Sequence, residues 1–422
     1  MQKETIAVHG GYNNKEGWGT MSVPIAQTTA YAFRDAEHAA NLFALKELGS
    51  IYTRLTNPTT DVLEQRFAQL EGGAAAICVA SGQSAIFYAV ANVAEAGDTV
   101  LISDKLYGGA VTLLTYTLKR FGINAKVFKS ADASDLEEQI DETTKAIFFE
   151  SLSNPQIAIA DVEKIVEIAK RNGVLTICDN TVASAELFNP IAWGVDVVVH
   201  STSKYTNGQG TAIGGIIVER DGLAEFFKEN SKRYYHFVEP DVSYHGLVYV
   251  DVPLPNFCLR IRLNLLRDIG ASQSPHNSWL LLQTIETLSI RMEQHSNSAL
   301  AVAKFLESNP KVKSVNYPGL ESSPYYEKAQ KYFKEGKASG LISFEAESYE
   351  AAKAVIDSAK LFSVVVNIGD SKSLIVHPAS TTHSQMTEEE LTAAGINPTT
   401  VRLSIGLENP KDLIEDLEQA LA

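Results

Sequence analysis

The chain has 422 residues, more than one simple core takes up, and its 45% hydrophobic and 21% charged content excludes disordered and fibrous classes. A net charge of −15 argues against non-specific nucleic-acid binding but leaves room for a small anionic ligand held by local arginines. Three cysteines, Cys78, Cys178 and Cys258, show no Cys-x-x-Cys spacing and read as buried, inert thiols rather than a disulfide framework.

The N-terminus, MQKETIAVHGG, has no apolar core of a signal peptide, and no apolar run reaches bilayer length. A soluble cytoplasmic protein without membrane contact is therefore expected. Residues 1–60 lack a clean period and are rich in Gly, Thr and Asn, which suggests an ordered arm lying against a partner subunit. From residue 61 a regular alternation begins. A helix over 61–70 stops at Gly72-Gly73, a buried strand follows over 75–80, and a second helix runs over 83–93. Next come a strand over 99–102, a helix over 109–121 and strands over 125–128 and 145–149. A helix over 162–169 leads to apolar runs at 174–178, 195–199 and 213–218. Apolar runs alternating with helices predict an α/β fold, a mostly parallel central sheet covered on both faces.

Residues 220–280, with their aromatics and prolines, break this rhythm and read as a long, partly irregular insertion. A long helix is expected over 279–306. The remainder reads as a smaller C-terminal α+β domain, with strands at 340–344, 374–376 and 401–405, an apolar stretch at 362–366, a helix at 349–358 and a last helix from Lys411. The expected division is an arm (1–60), a large domain (61–288) and a C-terminal domain (289–422).

Ligands of open α/β sheets lie beyond the carboxyl ends of the strands. The polar residues there are Ser81-Gly82-Gln83, Tyr107-Gly108-Gly109, Glu150 to Asn154, Asp179-Asn180-Thr181 and Ser201-Thr202-Ser203-Lys204. Gly82 at a helix start suits a phosphate, or is there for steric reasons alone. Asp179 either caps a helix or binds an organic cation. Lys204, screened from water, can lose its proton and act as a nucleophilic amine. Taken together they match one ligand. Gly82 and two hydroxyls suit a phosphate, Asp179 a pyridinium, Lys204 an aldehyde and Tyr107 a flat ring, which are the four parts of pyridoxal 5′-phosphate (PLP).

With Tyr52-Thr53-Arg54, Asn57-Pro58, Glu150-Ser151, Asn154-Pro155 and Arg402-Leu403-Ser404-Ile405-Gly406 added, the whole chain resembles the PLP enzymes of cysteine and methionine metabolism, the cystathionine γ-synthase/γ-lyase group of fold-type I. Three segments narrow the resemblance to the branch that adds sulfide or small thiols to O-acetyl-L-homoserine. They are the 220–280 insertion with Glu239-Pro240-Asp241 and Ser243-Tyr244-His245-Gly246, Asn367-Ile368-Gly369-Asp370, and His377 through Ser384.

The resemblance implies an aspartate-aminotransferase-like fold and a role for each matching residue. Lys204 would carry the cofactor and shuttle protons. Tyr107 would stack on the ring and act as acid or base. Asp179 would pair with the ring nitrogen. Ser81, Gly82, Gln83, Ser201 and Ser203 would hold the phosphate. Arg402, aided by Asn154 and Asn367, would clamp the substrate carboxylate. Tyr52 and Arg54 would reach the cofactor of a neighbouring subunit, which implies a dimer and, by resemblance, a homotetramer with shared sites. Gln83 stands where several relatives have Met, and Ser203 where many have Thr. His377 and His383, six apart, read as loop residues rather than metal ligands. Within the same family, methionine γ-elimination and cystathionine synthesis remain open, and a non-catalytic sulfur carrier is a rival of another class.

Overall fold

Seven of the apolar runs form one sheet. In the computed structural model, which describes residues 1–16, 19–381 and 397–422, they are β1 (Ala75–Val79), β2 (Thr99–Ser103), β3 (Asn124–Phe128), β4 (Thr144–Glu150), β5 (Leu175–Asp179), β6 (Val197–His200) and β7 (Gly215–Glu219). Their order is β1-β7-β6-β5-β4-β2-β3. β7 alone runs against its neighbours, antiparallel to both β1 and β6, and every other pairing is parallel. This is the mostly parallel sheet expected, in a fold of type I.

The strands read as unbroken apolar runs because both faces are covered. On β4, Ile147 and Phe149 enter one core while Ala146 and Phe148 enter the other, and on β6 Val198 is separated from Val197 and Val199 in the same way. The helix Pro58–Glu71 is set by its ends. Asn57 accepts from the amides of Thr59 (3.0 Å) and Thr60 (3.4 Å), Pro58 takes the first turn, and Gly72 closes the helix at φ +73°.

A second sheet contains β8 (Val312–Asn316), β9 (Leu341–Ala346), β10 (Ser363–Val364), β11 (Leu374–Val376) and β12 (Thr400–Ser404), in the order β10-β11-β12-β9-β8. One core is continuous from a face of the first sheet to Leu341, Phe344 and Leu403 of the second.

Several expectations are corrected. The arm contains helices Lys3–His9 and Ala36–Phe43. Both are too short to show a period, and they are fixed by Lys3 bonding to the Ala185 and Glu186 carbonyls and by Asp35 capping the His38 amide at 2.7 Å. The helix expected over 279–306 is two, Pro275–Ile285 and Leu288–Ser308, broken where Thr287 leaves helical geometry at φ −110°, ψ 10°. The 109–121 helix passes through a π turn (Leu113–Thr117) and a 3-10 turn ended by Gly122 at φ +81°. Only Ser363–Val364 of the 362–366 stretch is strand, and the half-exposed β8 carries too little apolar pattern to be foreseen. The 220–280 segment is more regular than expected. Its Phe237 stacks on Phe227 at 3.8 Å and, with Phe257, fills the core on one face of the first sheet. Among the described residues no helix is long and apolar enough to cross a membrane.

Candidate active site

Strands β1, β2, β4, β5 and β6 point their carboxyl ends to a cavity of about 400 Å³, which Arg402 of β12 and the segment 366–368 close from the second sheet. Ser81, Gly82, Gln83, Tyr107, Asn154, Asp179, Ser201, Ser203, Lys204, Asn367 and Arg402 all line it. Tyr52 and Arg54 do not. They are exposed on the arm, with the Arg54 guanidinium 5.1 Å over the Tyr52 ring. Glu150 and Thr181, present in the motifs but given no role there, line the cavity as well. A signal for Glu150 was available, because it ends the apolar run KAIFFE as Asp179 ends LTICD.

Lys204 sits in the loop between β6 and β7. The loop is tied across its base by Ser203, whose hydroxyl accepts from the Gly214 amide (3.0 Å) and donates to the Gly214 carbonyl (3.2 Å). The Lys204 amine donates to Asn367 Oδ1 at 2.6 Å. Burial, and then the positive charge of Arg402, lower its pKa from the ordinary 10.5. A partly desolvated amine of this kind is a competent nucleophile and base.

Asp179 accepts from the Thr181 amide at 2.9 Å. Burial pushes its carboxyl above the ordinary range, and the bonds from Thr181 pull the other way. Glu150 is its register partner on the adjacent strand. Burial and then the Asp179 charge push the Glu150 carboxyl well up. Two buried carboxylates at one sheet edge favour a cationic ligand group.

The helix Gly82–Ala91 starts at the same edge, capped by Ser81, whose hydroxyl accepts from the Ser84 amide at 3.1 Å. Its first amides have no intrahelical acceptor, which makes the turn an anion site. Gly82 is required there, since a Cβ would stand 2.6 Å from Ser201 Cβ. Ser201 is held by its amide donating to Thr181 Oγ1 at 2.8 Å, and Gln83 by its side chain donating to the Gly109 carbonyl at 2.9 Å.

Arg402 is 3% exposed. Its Nη1 donates to Asn154 Oδ1 at 2.9 Å and its Nη2 to the Asn367 carbonyl at 3.0 Å, while Nε is buried without a partner. Burial lowers its pKa to about 10. A buried guanidinium with an orphaned donor and no ion-pair partner among the described residues suits an anionic ligand. The residues present therefore fit PLP and an amino-acid substrate. The anion turn suits a phosphate, Asp179 a protonated ring nitrogen, Lys204 an aldehyde, and Arg402 a carboxylate.

His377 bonds to Ser380 (2.8 Å) and the Pro398 carbonyl (2.7 Å), which is a loop-fixing role. His383 lies outside the described residues.

Residues 4–422 match the family described as Cys/Met metabolism PLP-dependent enzyme. The chain is 46% identical to the O-acetyl-L-homoserine sulfhydrylase of Leptospira meyeri, over 99% of this chain and 96% of that one. It is 43% identical to the homocysteine synthase of Schizosaccharomyces pombe, over 99% and 97%. Among solved structures, an O-acetylhomoserine (thiol)-lyase from Campylobacter jejuni, bearing a pyridoxyl-lysine phosphate, superposes with a TM-score of 0.98 at 56% identity over the full length of both chains. The metB protein of Corynebacterium glutamicum gives a TM-score of 0.84 at 29% identity, over 100% of this chain and 98% of that one.

Proposed function

Because the chain belongs to the PLP-dependent enzymes of cysteine and methionine metabolism, we propose that it replaces the acetate of O-acetyl-L-homoserine by sulfide or a small thiol, giving L-homocysteine or methionine in amino-acid biosynthesis. The observation that carries this reading is the convergence of Lys204, Asp179 and Arg402 on one cavity, in a chain whose relatives are named for that reaction.

When bound, PLP supplies an electron sink for charge developing at the substrate Cα. The chain's own residues do the rest. Lys204 would hold the cofactor through its amine and would move the proton at the substrate Cα. Its lowered pKa places it closer to neutrality, where a base is most effective. Asp179 keeps a proton on the ring nitrogen. Tyr107 covers the ring and serves as acid or base. Ser81, Gly82, Gln83, Ser201 and Ser203 hold the phosphate. Arg402 binds the α-carboxylate, with one arm of its fork set by Asn154 and the other by Asn367.

Tyr52 and Arg54, exposed and paired on the arm, reach the cofactor phosphate of a neighbouring subunit. The minimum active unit is then a dimer, and the assembly a tetramer of two such pairs acting in the cytoplasm. Residues 1–60, 61–288 and 289–422 are the arm, the cofactor-binding domain and the C-terminal domain of this unit.

The test is a product profile. O-acetyl- and O-succinyl-homoserine are each offered with sulfide, methanethiol and cysteine, and methionine is offered alone. Homocysteine from the acetyl ester and sulfide is expected as the main product. Preference for the succinyl ester with cysteine, or release of methanethiol from methionine, would overturn the assignment.

A further inference from the structure

Glu150 stands among the cofactor-facing residues without a part in holding the cofactor. It ends β4, it is 5% exposed, and no cation among the described residues acts on it. A buried charge beside Asp179 is costly, and burial pushes the Glu150 carboxyl well up, so its place rests on its hydrogen bonds. Both of its oxygens are engaged. Oε1 accepts from the Tyr107 amide at 2.6 Å, and Oε2 accepts from the Asn154 amide at 3.1 Å. Tyr107 opens the helix after β2, whereas Asn154 lies in the loop after β4 and holds Arg402 Nη1 at 2.9 Å. One carboxylate thus spans the residue over the ring and the residue that orients the guanidinium.

We propose that Glu150 is a positioning residue that fixes Tyr107 and Asn154 relative to each other, so that the ring face and the carboxylate clamp keep a constant separation. This rests on the roles given above to Tyr107 and Arg402. A carboxyl group, with an acceptor oxygen on each side, suits the position. The two amides are both donors and need two acceptors, and a glutamine would turn its NH2 toward one of them.

The substitution Glu150→Gln is nearly isosteric and tests this. The KM for O-acetylhomoserine should rise about 10-fold, the loss that follows when one buried amide is left without its acceptor. The KM for sulfide should stay the same. The apoenzyme's affinity for PLP, read by absorbance titration, should fall, while the apoenzyme melting temperature changes little, because burial and Asp179 already disfavour a charge on Glu150. A lower melting temperature with unchanged KM and PLP affinity would mean a merely structural carboxylate and overturn the proposal. A second arm uses Asn154→Ala. If Glu150 acts through Asn154, adding Glu150→Gln to that variant should raise KM little further, and full additivity counts against the proposal. Tyr107→Ala and Arg402→Gln serve as controls. If these leave PLP affinity and KM unchanged, the roles on which the proposal rests fail, and it is overturned at that point rather than at Glu150.

Discussion

The Lys204 amine and the Arg402 guanidinium share one partner, Asn367, whose side-chain oxygen accepts from the amine at 2.6 Å while its main-chain oxygen accepts from the guanidinium at 3.0 Å. Asn367 lies between β10 and β11 of the second sheet, so the group that would hold the cofactor and the group that would hold the substrate are registered to each other through a residue outside both the loop that bears Lys204 and the strand that bears Arg402.

That arrangement has a pH signature. Burial and the Arg402 charge both disfavour the protonated amine, so the free amine is present at lower pH than for an ordinary lysine. The rate at which apoenzyme captures PLP should rise with pH about a midpoint below 10.5. Arg402→Gln should move the midpoint upward, but only in part, because burial is the larger cause. Stopped-flow absorbance across pH decides it, and a midpoint at or above the ordinary value refutes the account.

Replacing Arg402 by lysine keeps the charge and loses the fork. One ammonium cannot serve Asn154, Asn367 and a carboxylate with the same geometry. The kcat/KM for the amino-acid substrate should fall about 100-fold, chiefly through KM, consistent with one to two charged hydrogen bonds. The absorbance of the bound cofactor should not change.

Gly82→Ala should act on the cofactor rather than the substrate. The new Cβ would meet Ser201 Cβ at 2.6 Å and Cα at 2.9 Å, pushing apart two elements of the phosphate site. Overpacking of this kind costs about 1–3 kcal/mol. Equilibrium unfolding of the apoenzyme should show that loss, and a PLP titration a parallel loss of affinity.

Shared sites can be tested by mixing. Arg54→Ala and Lys204→Ala should each be inactive alone. If the arm completes a neighbour's site, co-assembled subunits restore one intact site per mixed dimer, giving roughly a quarter of wild-type activity at equal proportions. No recovery after verified subunit exchange would place Arg54 in its own subunit's chemistry or outside the site.

Glu219, at the far end of β7, gives a stability prediction. Burial raises its carboxyl to about 7, against an ordinary value of 4.5, with the Cys258 amide opposing. The folded state then binds more protons than the unfolded one between those values, so stability should decline as pH climbs through that window, by on the order of 3 kcal/mol. Glu219→Gln should flatten this part of the profile in urea melts from pH 4.5 to 8.

Legibility in the sequence followed the environment of each residue. Asp179 and Lys204 stood out because each follows a strand buried on both faces, and strand–helix alternation alone brings such ends to one edge. Arg402 lies within β12 of another sheet, where Thr-Val-Arg-Leu-Ser says nothing of a cavity, and only the family resemblance singled it out. The Asn367 bond to Lys204 spans 163 positions and depends on how two sheets pack, a non-local fact that no pattern encodes. The break at Thr287 was hidden because the flanking helices have no Pro or Gly between them, and the short arm helices because tertiary bonds of Lys3 hold the first and the Asp35 cap the second, not periodicity.

The reversed course of β7 insulates the lysine. Because β7 runs back from the site edge, the Lys204 loop leaves and re-enters the sheet on one side, and the 220–280 segment departs from the opposite edge. In a parallel crossover the chain after the lysine would have to traverse a whole face of the sheet, and each change of length there would pull on the amine. Here a change of length in the turns beyond Glu219 begins at the opposite edge and does not pull on the amine, while Phe237 and Phe257 keep the segment anchored in the core.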